Sequence, residues 1–255
     1  RRGGGGACHR AGGGVGGLGY IAGMTNFVLV AGARLGASAW DEVAAELGAA
    51  GHQPRPLTLS GLAEKRGVPA GQRTHVRDIV DEVERLDLRE VVLVGHSYSG
   101  VPVGQAAQRI GDRLRRVVFV DSSVPVDGES FLDGWPSDDV RRTIEESGGF
   151  WLPAGPGHYA DQGLTDRQIS RIIDRSSPHP GATLTEPAVL TGSLGELPAT
   201  YIKCLLDDEE PMPVVAELLK NESWELVEMD TGHWPMFSRP RELARILAEL
   251  GAATS

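Results

Sequence analysis

A strand-like apolar run that leads directly into a tight turn of small residues constrains this sequence more than any other feature. Val91 to Val94 is rich in β-branched residues, which is typical of a buried strand. The turn GHSYSG follows at residues 95–100, and apolar residues then recur at helical spacing from Val101 to Ile110. A strand, a sharp turn and a helix in direct succession indicate one unit of a parallel sheet covered by helices.

The same alternation of short apolar runs and helical periodicity continues over most of the chain. It favours an α/β fold with about six mainly parallel strands and helices on both faces of the sheet. Hydrophobic residues make up 40% of the 255 residues, which is enough to build the core of one large domain. The predicted strands are 27–31, 53–59, 91–94, 116–120, 200–206 and 224–229, and the predicted helices are 40–47, 76–86, 101–110, 214–220 and 241–250.

Two segments do not follow this pattern. Residues 123–191 contain many Pro, Gly and aromatic residues with short helical pieces near 140–146 and 166–174, too long a stretch for a plain loop. We therefore expect a helical cap inserted between two parts of the core, residues 24–122 and 192–255. Residues 1–23 are nearly half glycine and are expected to form a disordered extension, with Met24 as a candidate natural start.

The charge and the cysteines exclude several classes of protein. The net charge of −10 disfavours binding to nucleic acids and to anionic membranes, so a small-molecule partner is expected. Cys8 and Cys204 lie far apart, and we expect no disulfide, metal or other cofactor. The sequence contains neither an apolar run of the roughly 18 residues that a membrane span needs nor a signal peptide, so a cytoplasmic location is expected.

The turn at residues 95–100 is of the nucleophile-elbow type, in which a serine is held exposed between a strand and a helix. Ser97 is therefore the candidate nucleophile. A serine hydroxyl needs a base to take its proton, and only His158, His179 and His233 follow Ser97. His158 and His179 fall in the irregular segment, whereas His233 lies in the loop after the last predicted strand. We therefore predict that His233 is the base, and that His96 packs beneath the elbow.

The acid that orients the imidazole belongs at the end of a strand between Ser97 and His233. Asp207 and Asp208 follow one predicted strand, and Asp121 follows the strand before it. Asp207 is ranked first, with Asp208 and Asp121 as alternatives, and the acidic run at 207–210 is also compatible with a simple solvated loop.

Two backbone N–H groups should stabilise the oxyanion that forms when Ser97 attacks a carbonyl. One belongs to Tyr98, the residue after the nucleophile. The other is expected in the loop after the first strand, at Ala33, where Gly32 and Gly36 let the backbone approach a substrate closely.

At this point the sequence resembles a branch of the α/β-hydrolases that contains plant salicylate methylesterases, hydroxynitrile lyases and bacterial pyrethroid-hydrolase-like carboxylesterases. The resemblance implies a Ser-His-Asp triad whose acid sits at the position of Asp207. It extends from about Asn26 to Leu250 and rests on FVLVAGA at 27–33, Gly36, Ala37, Trp40, the elbow, VFVDSSVP at 118–125, Gly128 to Ser130, YIKCLLD at 201–207 and Gly232-His233.

The sequence departs from this branch at several positions. The family usually has histidines at the positions of Ala31 and Leu35, which puts the pocket floor and the substrate in doubt. The related lyases carry a threonine at the position of Gly32 and a lysine at that of Trp234. Glycine leaves room for a tetrahedral intermediate and tryptophan supplies no cation, so both departures favour acyl transfer.

These observations leave three hypotheses. The first is an esterase that cleaves a small to medium carboxylic ester or lactone through an acyl-enzyme, and the second is a lyase on the same scaffold. The third is a ligand-binding relative without catalysis, which a complete triad disfavours. A homodimer is compatible with the sequence. The candidate walls of the substrate pocket are Trp135, Trp151, Tyr159 and Trp234, although cap aromatics can equally form a small core of their own.

Overall fold

The computed structural model describes residues 24–208 and 210–252, and a six-stranded parallel sheet forms its centre. A separate pair of two-residue strands lies between the fourth and fifth strands of that sheet in the chain. In chain order the strands are β1 (Asn26–Val30), β2 (Gln53–Leu57), β3 (Val91–His96), β4 (Leu114–Val120), β5 (Phe150–Trp151), β6 (His179–Pro180), β7 (Ala199–Cys204) and β8 (Trp224–Met229).

The strand order of the main sheet is β2-β1-β3-β4-β7-β8, and every neighbouring pair is parallel. The predicted six parallel strands are therefore confirmed. Because all strands run the same way, their carboxyl ends lie along one edge of the sheet. The loops that carry the predicted site residues leave the sheet at this edge.

Helices cover both faces of the sheet. Alternate residues of β1 show this arrangement: Phe27 and Leu29 belong to a buried cluster with the helices on one face, whereas Val28 and Val30 belong to a second cluster with the helices on the other face. The helices are α1 (Asp41–Ala49), α2 (Gln72–Arg85), α3 (Gly100–Arg109), α4 (Phe131–Gly134), α5 (Asp138–Glu146), α6 (Asp166–Arg175), α7 (Ala182–Thr185), α8 (Pro213–Leu218), α9 (Pro235–Ser238) and α10 (Pro240–Ala252).

The segment between β4 and β7, residues 121–198, lies where the cap is predicted, and we name it the cap segment. It contains α4 to α7, and the helical pieces predicted near 140–146 and 166–174 are confirmed as α5 and α6. The antiparallel pair β5 and β6 was not predicted, because two residues are too few to show strand periodicity. The exact boundaries of the cap at 123 and 191 stay a prediction.

Two predicted strands end earlier in the structure. β2 stops at Leu57 rather than at residue 59, and β7 stops at Cys204 rather than at residue 206. After Cys204 the backbone turns, because the amide of Asp207 donates to the carbonyl oxygen of Cys204 at 3.3 Å. The glycine-rich extension predicted for residues 1–23 lies outside the described residues. Within the described ranges, no helix is long and apolar enough to cross a membrane.

Candidate active site

Ser97 lies on the sharp turn between β3 and α3. Its φ angle is +55°, in the left-handed region that residues other than glycine rarely adopt. Such local strain persists only where the surrounding structure enforces it. Here β3 ends just before Ser97 and α3 begins three residues after it, so the hydroxyl projects from the turn into a cavity.

The packing around the turn explains why it begins and ends with glycine. A Cβ atom at Gly95 would lie 3.0 Å from Val103, and one at Gly100 would lie 2.0 Å from the carbonyl oxygen of Ser123. The remaining small residue is Ser99 rather than glycine, and its Oγ accepts a hydrogen bond from the amide of His96 at 2.8 Å. The same hydroxyl lies 2.9 Å from the carbonyl oxygen of Val30, so Ser99 joins the turn to β1.

The imidazole of His233 lies beside Ser97. Its Nε2 is 2.8 Å from Oγ of Ser97. Two further contacts hold the backbone of His233: its amide donates to Oε1 of Gln162 at 2.6 Å, and its carbonyl oxygen lies 2.6 Å from Nε2 of His96. Since a carbonyl oxygen only accepts, Nε2 of His96 must carry a proton. His96 therefore supports the histidine loop as well as packing beneath the elbow.

Two carboxylates face Nδ1 of His233. Oδ2 of Asp121 lies 2.7 Å from Nδ1, and Oδ2 of Asp207 lies 3.4 Å from it. The Asp121 side chain is 2% exposed and that of Asp207 is 39% exposed. Among the hydrogen bonds of the described residues, none joins Asp208 to His233. The shorter contact thus belongs to the carboxylate ranked below Asp207 from the sequence, and the identity of the acid stays a prediction.

A buried lysine accompanies Asp121. Nζ of Lys203, in β7, lies 2.9 Å from Oδ1 of Asp121, and the two side chains are 5% and 2% exposed. The amide of Cys204 donates to the same oxygen at 3.2 Å. Because one oxygen of Asp121 is held by Lys203 and Cys204, its other oxygen is directed at His233.

These contacts determine the protonation of the site. Burial alone would lower the pKa of His233, but the hydrogen bond that Nδ1 donates to Asp121, together with the nearby carboxylate of Asp207, raises that pKa to about 9. Burial alone would raise the pKa of Asp121, but its hydrogen bonds to His233 and Lys203 hold it well below the ordinary range. Burial and the neighbouring His233 lower the pKa of His96 to about 3, so His96 is neutral at physiological pH.

The predicted oxyanion donors lie close to the nucleophile in the fold. Tyr98 is the second residue of the 3-10 turn Ser97–Ser99, where a backbone amide has no acceptor within the turn. Ala33 lines the same cavity as Ser97, and none of the hydrogen bonds of the described residues uses its amide. A Cβ atom at Gly32 would lie 2.7 Å from His96 and 2.8 Å from Ser97, so only glycine fits between this loop and the elbow.

A cavity of about 320 Å³ opens above Ser97, between the sheet edge and the cap. Trp135, Trp151 and Trp234, three of the four pocket candidates, line it, and their contact with a substrate stays a prediction. Tyr159 does not line this cavity: it is 2% exposed and packs against Trp234 at a ring distance of 4.7 Å. The prediction for Tyr159 as a pocket wall is therefore corrected to a core residue that supports Trp234.

Four residues at the cavity were not selected as site residues from the sequence, and one of them, His158, was considered there only as an alternative base. They lie around the same cavity and are Arg34, His158, Gln162 and Lys203. Lys203 did carry a signal, since a charged residue inside an apolar strand calls for a buried partner. The other three are in loops or cap segments without a motif, and only the folded chain brings them to the site.

Asp121, Asp207 and His233 are also close enough together to hold a metal ion. A cation at this point would lie close to the positively charged ammonium group of Lys203. It would also have to coordinate Nδ1 of His233, the nitrogen that contacts Asp121. The same nitrogen and carboxylate oxygens already take part in the hydrogen bonds described above. This arrangement suits carboxylates that orient an imidazole better than it suits a metal site.

The chain matches the model of the alpha/beta hydrolase family over residues 27–246 and belongs to that family. As a class it is a hydrolase on the fold described above, and the fold expected from the sequence is confirmed.

Two curated relatives illustrate the branch. A "carbendazim hydrolyzing esterase" of Nocardioides sp. is 31% identical over 243 residues, which are 89% of this chain and 100% of the relative. Methylesterase 7 of Arabidopsis thaliana is 26% identical over 251 residues, 88% of this chain and 95% of the relative. The resemblance to the methylesterase branch is confirmed.

Solved structures share the fold. An extracellular alpha/beta-hydrolase from a Paenibacillus species, described as sharing structural and functional homology with tobacco salicylic acid binding protein 2, superimposes with a TM-score of 0.80. It is 23% identical, and the match covers 90% of this chain and 100% of that one. Polyneuridine aldehyde esterase superimposes with a TM-score of 0.69 at 20% identity, over 89% of this chain and 99% of that one.

We predict that Gly100→Ala destabilises the protein by about 3 kcal/mol or more, because the added methyl group meets a backbone oxygen that cannot move aside easily. Gly48→Ala is the matched control. Gly48 lies in α1 with open space around it, and there alanine should stabilise by about 0.5–1 kcal/mol. Urea unfolding of the two variants measures both effects; equal stability of both would contradict the tight elbow.

We also predict that kcat/KM for ester hydrolysis rises with pH towards about 9, because His233 accepts a proton from Ser97 only when it is neutral and its pKa is raised to about 9. Asp207→Asn removes one of the carboxylates that raise this pKa, so the rising limb should move to lower pH. Rates measured from pH 5 to 10, with Asp208→Asn as the control, test the shift. A rising limb below pH 6.5 in the wild type would contradict it.

Proposed function

We propose that this protein is a serine esterase that cleaves a small to medium carboxylic ester or lactone through a Ser97 acyl-enzyme. One observation carries the proposal. His233 contacts Ser97 through Nε2 at 2.8 Å and a buried carboxylate through Nδ1 at 2.7 Å. This is the arrangement in which an imidazole can take the proton of a serine and remain correctly oriented.

In the first half of the reaction, Oγ of Ser97 attacks the ester carbonyl carbon and its proton passes to Nε2 of His233. The carbonyl oxygen becomes an oxyanion, which the amides of Ala33 and Tyr98 stabilise. The positive charge on the imidazole is balanced by the carboxylates at Nδ1. When the tetrahedral intermediate collapses, the ester C–O bond breaks and His233 gives its proton to the leaving alcohol.

The second half releases the acid. His233, neutral again, takes a proton from a water molecule that attacks the acyl carbon. The second tetrahedral intermediate collapses, the bond to Oγ breaks, and Ser97 recovers its proton from His233. A lactone follows the same steps, except that the alcohol and acid groups remain on one molecule.

The cavity supports a substrate with an apolar part. Its volume of about 320 Å³ suits a small or medium ligand, and Phe131, Trp135, Trp151 and Met212 supply apolar walls. The names of the curated relatives, a carbendazim hydrolyzing esterase and several methylesterases, support an ester as the substrate class.

Two residues argue against a lyase. Gly32 has no side chain, and His96 and Ser97 leave no room for one. No hydroxyl group is therefore available at this position to bond a substrate oxygen. Trp234 lines the cavity beside His233 with a ring distance of 5.0 Å, and it offers an apolar surface and one N–H donor instead of a cation. A leaving anion such as cyanide would find no ammonium group at this position.

For the acid, we propose that both carboxylates act on His233 and that Asp121 contributes more. Asp121 makes the shorter contact and is more deeply buried, so its interaction with the imidazole is less screened by water. Asp207, the acid implied by the family resemblance, adds a weaker contact from the exposed side. The expected cytoplasmic location and the homodimer stay predictions.

We predict that Ser97→Ala abolishes both ester hydrolysis and labelling by a fluorophosphonate probe, because it removes the activated hydroxyl. Ser170→Ala, at an exposed serine of α6, is the control and should behave as the wild type. Thermal unfolding checks that both variants are folded. When the wild type is mixed with an activated aryl ester and the reaction is stopped during turnover, mass spectrometry should show the added mass of one acyl group on Ser97.

Labelling that persists in folded Ser97→Ala would exclude Ser97 as the nucleophile. Ser97-dependent release of cyanide from mandelonitrile, with no trapped acyl-enzyme, would replace the esterase by a lyase.

We predict that Asp121→Asn lowers kcat by about two to four orders of magnitude, as loss of an orienting carboxylate does in other triads. Asp207→Asn should cost about tenfold to a hundredfold, because Asp121 still orients the ring. Since Asp121→Asn leaves the buried ammonium of Lys203 unpaired, the double variant Asp121→Asn/Lys203→Met separates the catalytic loss from a folding defect.

A larger loss for Asp207→Asn than for the double variant would assign the acid to Asp207, as the family resemblance implies. Asp208→Asn serves as the control for the acidic loop and should remain near the wild-type rate.

A further inference from the structure

A buried arginine forms part of the cavity wall. Arg34 follows Ala33 in the loop after β1, with a φ angle of +69° and only 6% of its surface exposed. Its amide donates a hydrogen bond to Nδ1 of His179 at 3.0 Å, which fixes the backbone where the side chain departs. Arg34 therefore has a defined position close to the oxyanion loop.

The guanidinium group contacts the cap through neutral partners. It lies 4.1 Å from the centre of the Trp151 ring, and it is 3.4 Å from the carbonyl oxygen of Leu152. A further nitrogen lies 3.2 Å from Nε2 of His158. Because arginine can only donate, this Nε2 must be unprotonated, and burial together with the charge of Arg34 lowers the pKa of His158.

No carboxylate balances this charge within the residues that the structure describes, since none of their ion pairs includes Arg34. Lys203, the other buried cation at the cavity, is paired with Asp121 at 2.9 Å. Burying a cation without an anion costs free energy, and the cation–π contact with Trp151 offsets only part of that cost. A planar guanidinium of this kind is well suited to a carboxylate, which can accept two parallel hydrogen bonds.

The acidic residues at the cavity do not remove this preference. Asp121 is neutralised by Lys203 and His233, and Asp207 lies 3.4 Å from the same imidazole. Asp208 and Glu210 are exposed, so water and salt screen them. An anionic group beside the buried Arg34 would be surrounded by far less water than these exposed carboxylates, so its attraction to the guanidinium would be less screened.

We propose that Arg34 binds a carboxylate carried by the ester substrate, so that the enzyme prefers half-esters of dicarboxylic acids to neutral esters of the same shape. This inference rests on the proposed esterase function. In it Arg34 determines specificity: the guanidinium holds the far end of the acyl chain while Ser97 attacks the ester carbonyl.

Two substrates that differ only in charge test the proposal. They are mono-(4-nitrophenyl) adipate, with a free carboxylate, and methyl 4-nitrophenyl adipate, in which that carboxylate is capped. We expect the wild type to favour the anionic ester by about tenfold or more in kcat/KM for release of 4-nitrophenol. In Arg34→Met the ratio of kcat/KM for the anionic ester to kcat/KM for the capped ester should fall to about one, and in Arg34→Lys part of the preference should return.

Binding without turnover provides a second readout. Free adipate should inhibit hydrolysis of the capped ester competitively in the wild type, and this inhibition should weaken by about tenfold or more in Arg34→Met. Arg109→Met, at an exposed arginine of α3, is the matched control and should keep both the preference and the inhibition.

The outcomes are distinguishable. Ser97-dependent hydrolysis of both esters without a preference for the anion would overturn this inference and leave the esterase function intact, whereas absence of Ser97-dependent hydrolysis would overturn the function itself. If Arg34→Met fails to fold, the wild-type substrate ratio and the adipate inhibition decide. Absence of both in the wild type would show that Arg34 only ties the loop to the cap.

Discussion

The imidazole of His233 is the point on which the rest of the site depends, because it joins groups from neighbouring strands of the sheet. Ser97 follows β3, Asp121 follows β4, Asp207 follows β7 and His233 itself follows β8. These strands are adjacent in that order and all parallel. The parallel register alone therefore brings the ends of four chain segments to one edge, and the short loops after them need to supply only the final few ångströms.

A buried charge balance makes this convergence specific. Asp121 sits between Lys203 and His233, each within 2.9 Å of one of its oxygens. Burying an ion pair costs less free energy than burying one unpaired charge. The ammonium group of Lys203 therefore allows Asp121 to stay ionised at a position that is almost wholly buried. In the proposed mechanism, the charge that forms on the imidazole then meets a carboxylate that is already ionised and oriented. Lys203 thus stabilises the ionised form of Asp121.

The sequence predicted the sheet, the turn at Ser97 and the placement of His233 beside it, because each has a local signal. Apolar runs mark the strands, the small residues around Ser97 mark the turn, and the position of His233 after the last strand marks the base. The choice between Asp121 and Asp207 had no such signal: both follow strands that end at the same edge, and their distances to Nδ1 depend on loop conformation. The role of Tyr159 was also beyond the sequence, since an aromatic cap residue can face either the cavity or the core.

The cap segment contributes to the geometry around His233 as well as to the shape of the pocket. Gln162, a cap residue, accepts the amide hydrogen of His233, and a Cβ atom at Gly232 would lie only 2.4 Å from its carbonyl oxygen. The cap residues Trp151 and His158 hold the guanidinium of Arg34. The same inserted segment therefore positions the base and one wall of the pocket. A sequence change in the cap can alter the substrate preference, but it must preserve the contact at Gln162, because that contact fixes the loop from which the imidazole reaches Ser97.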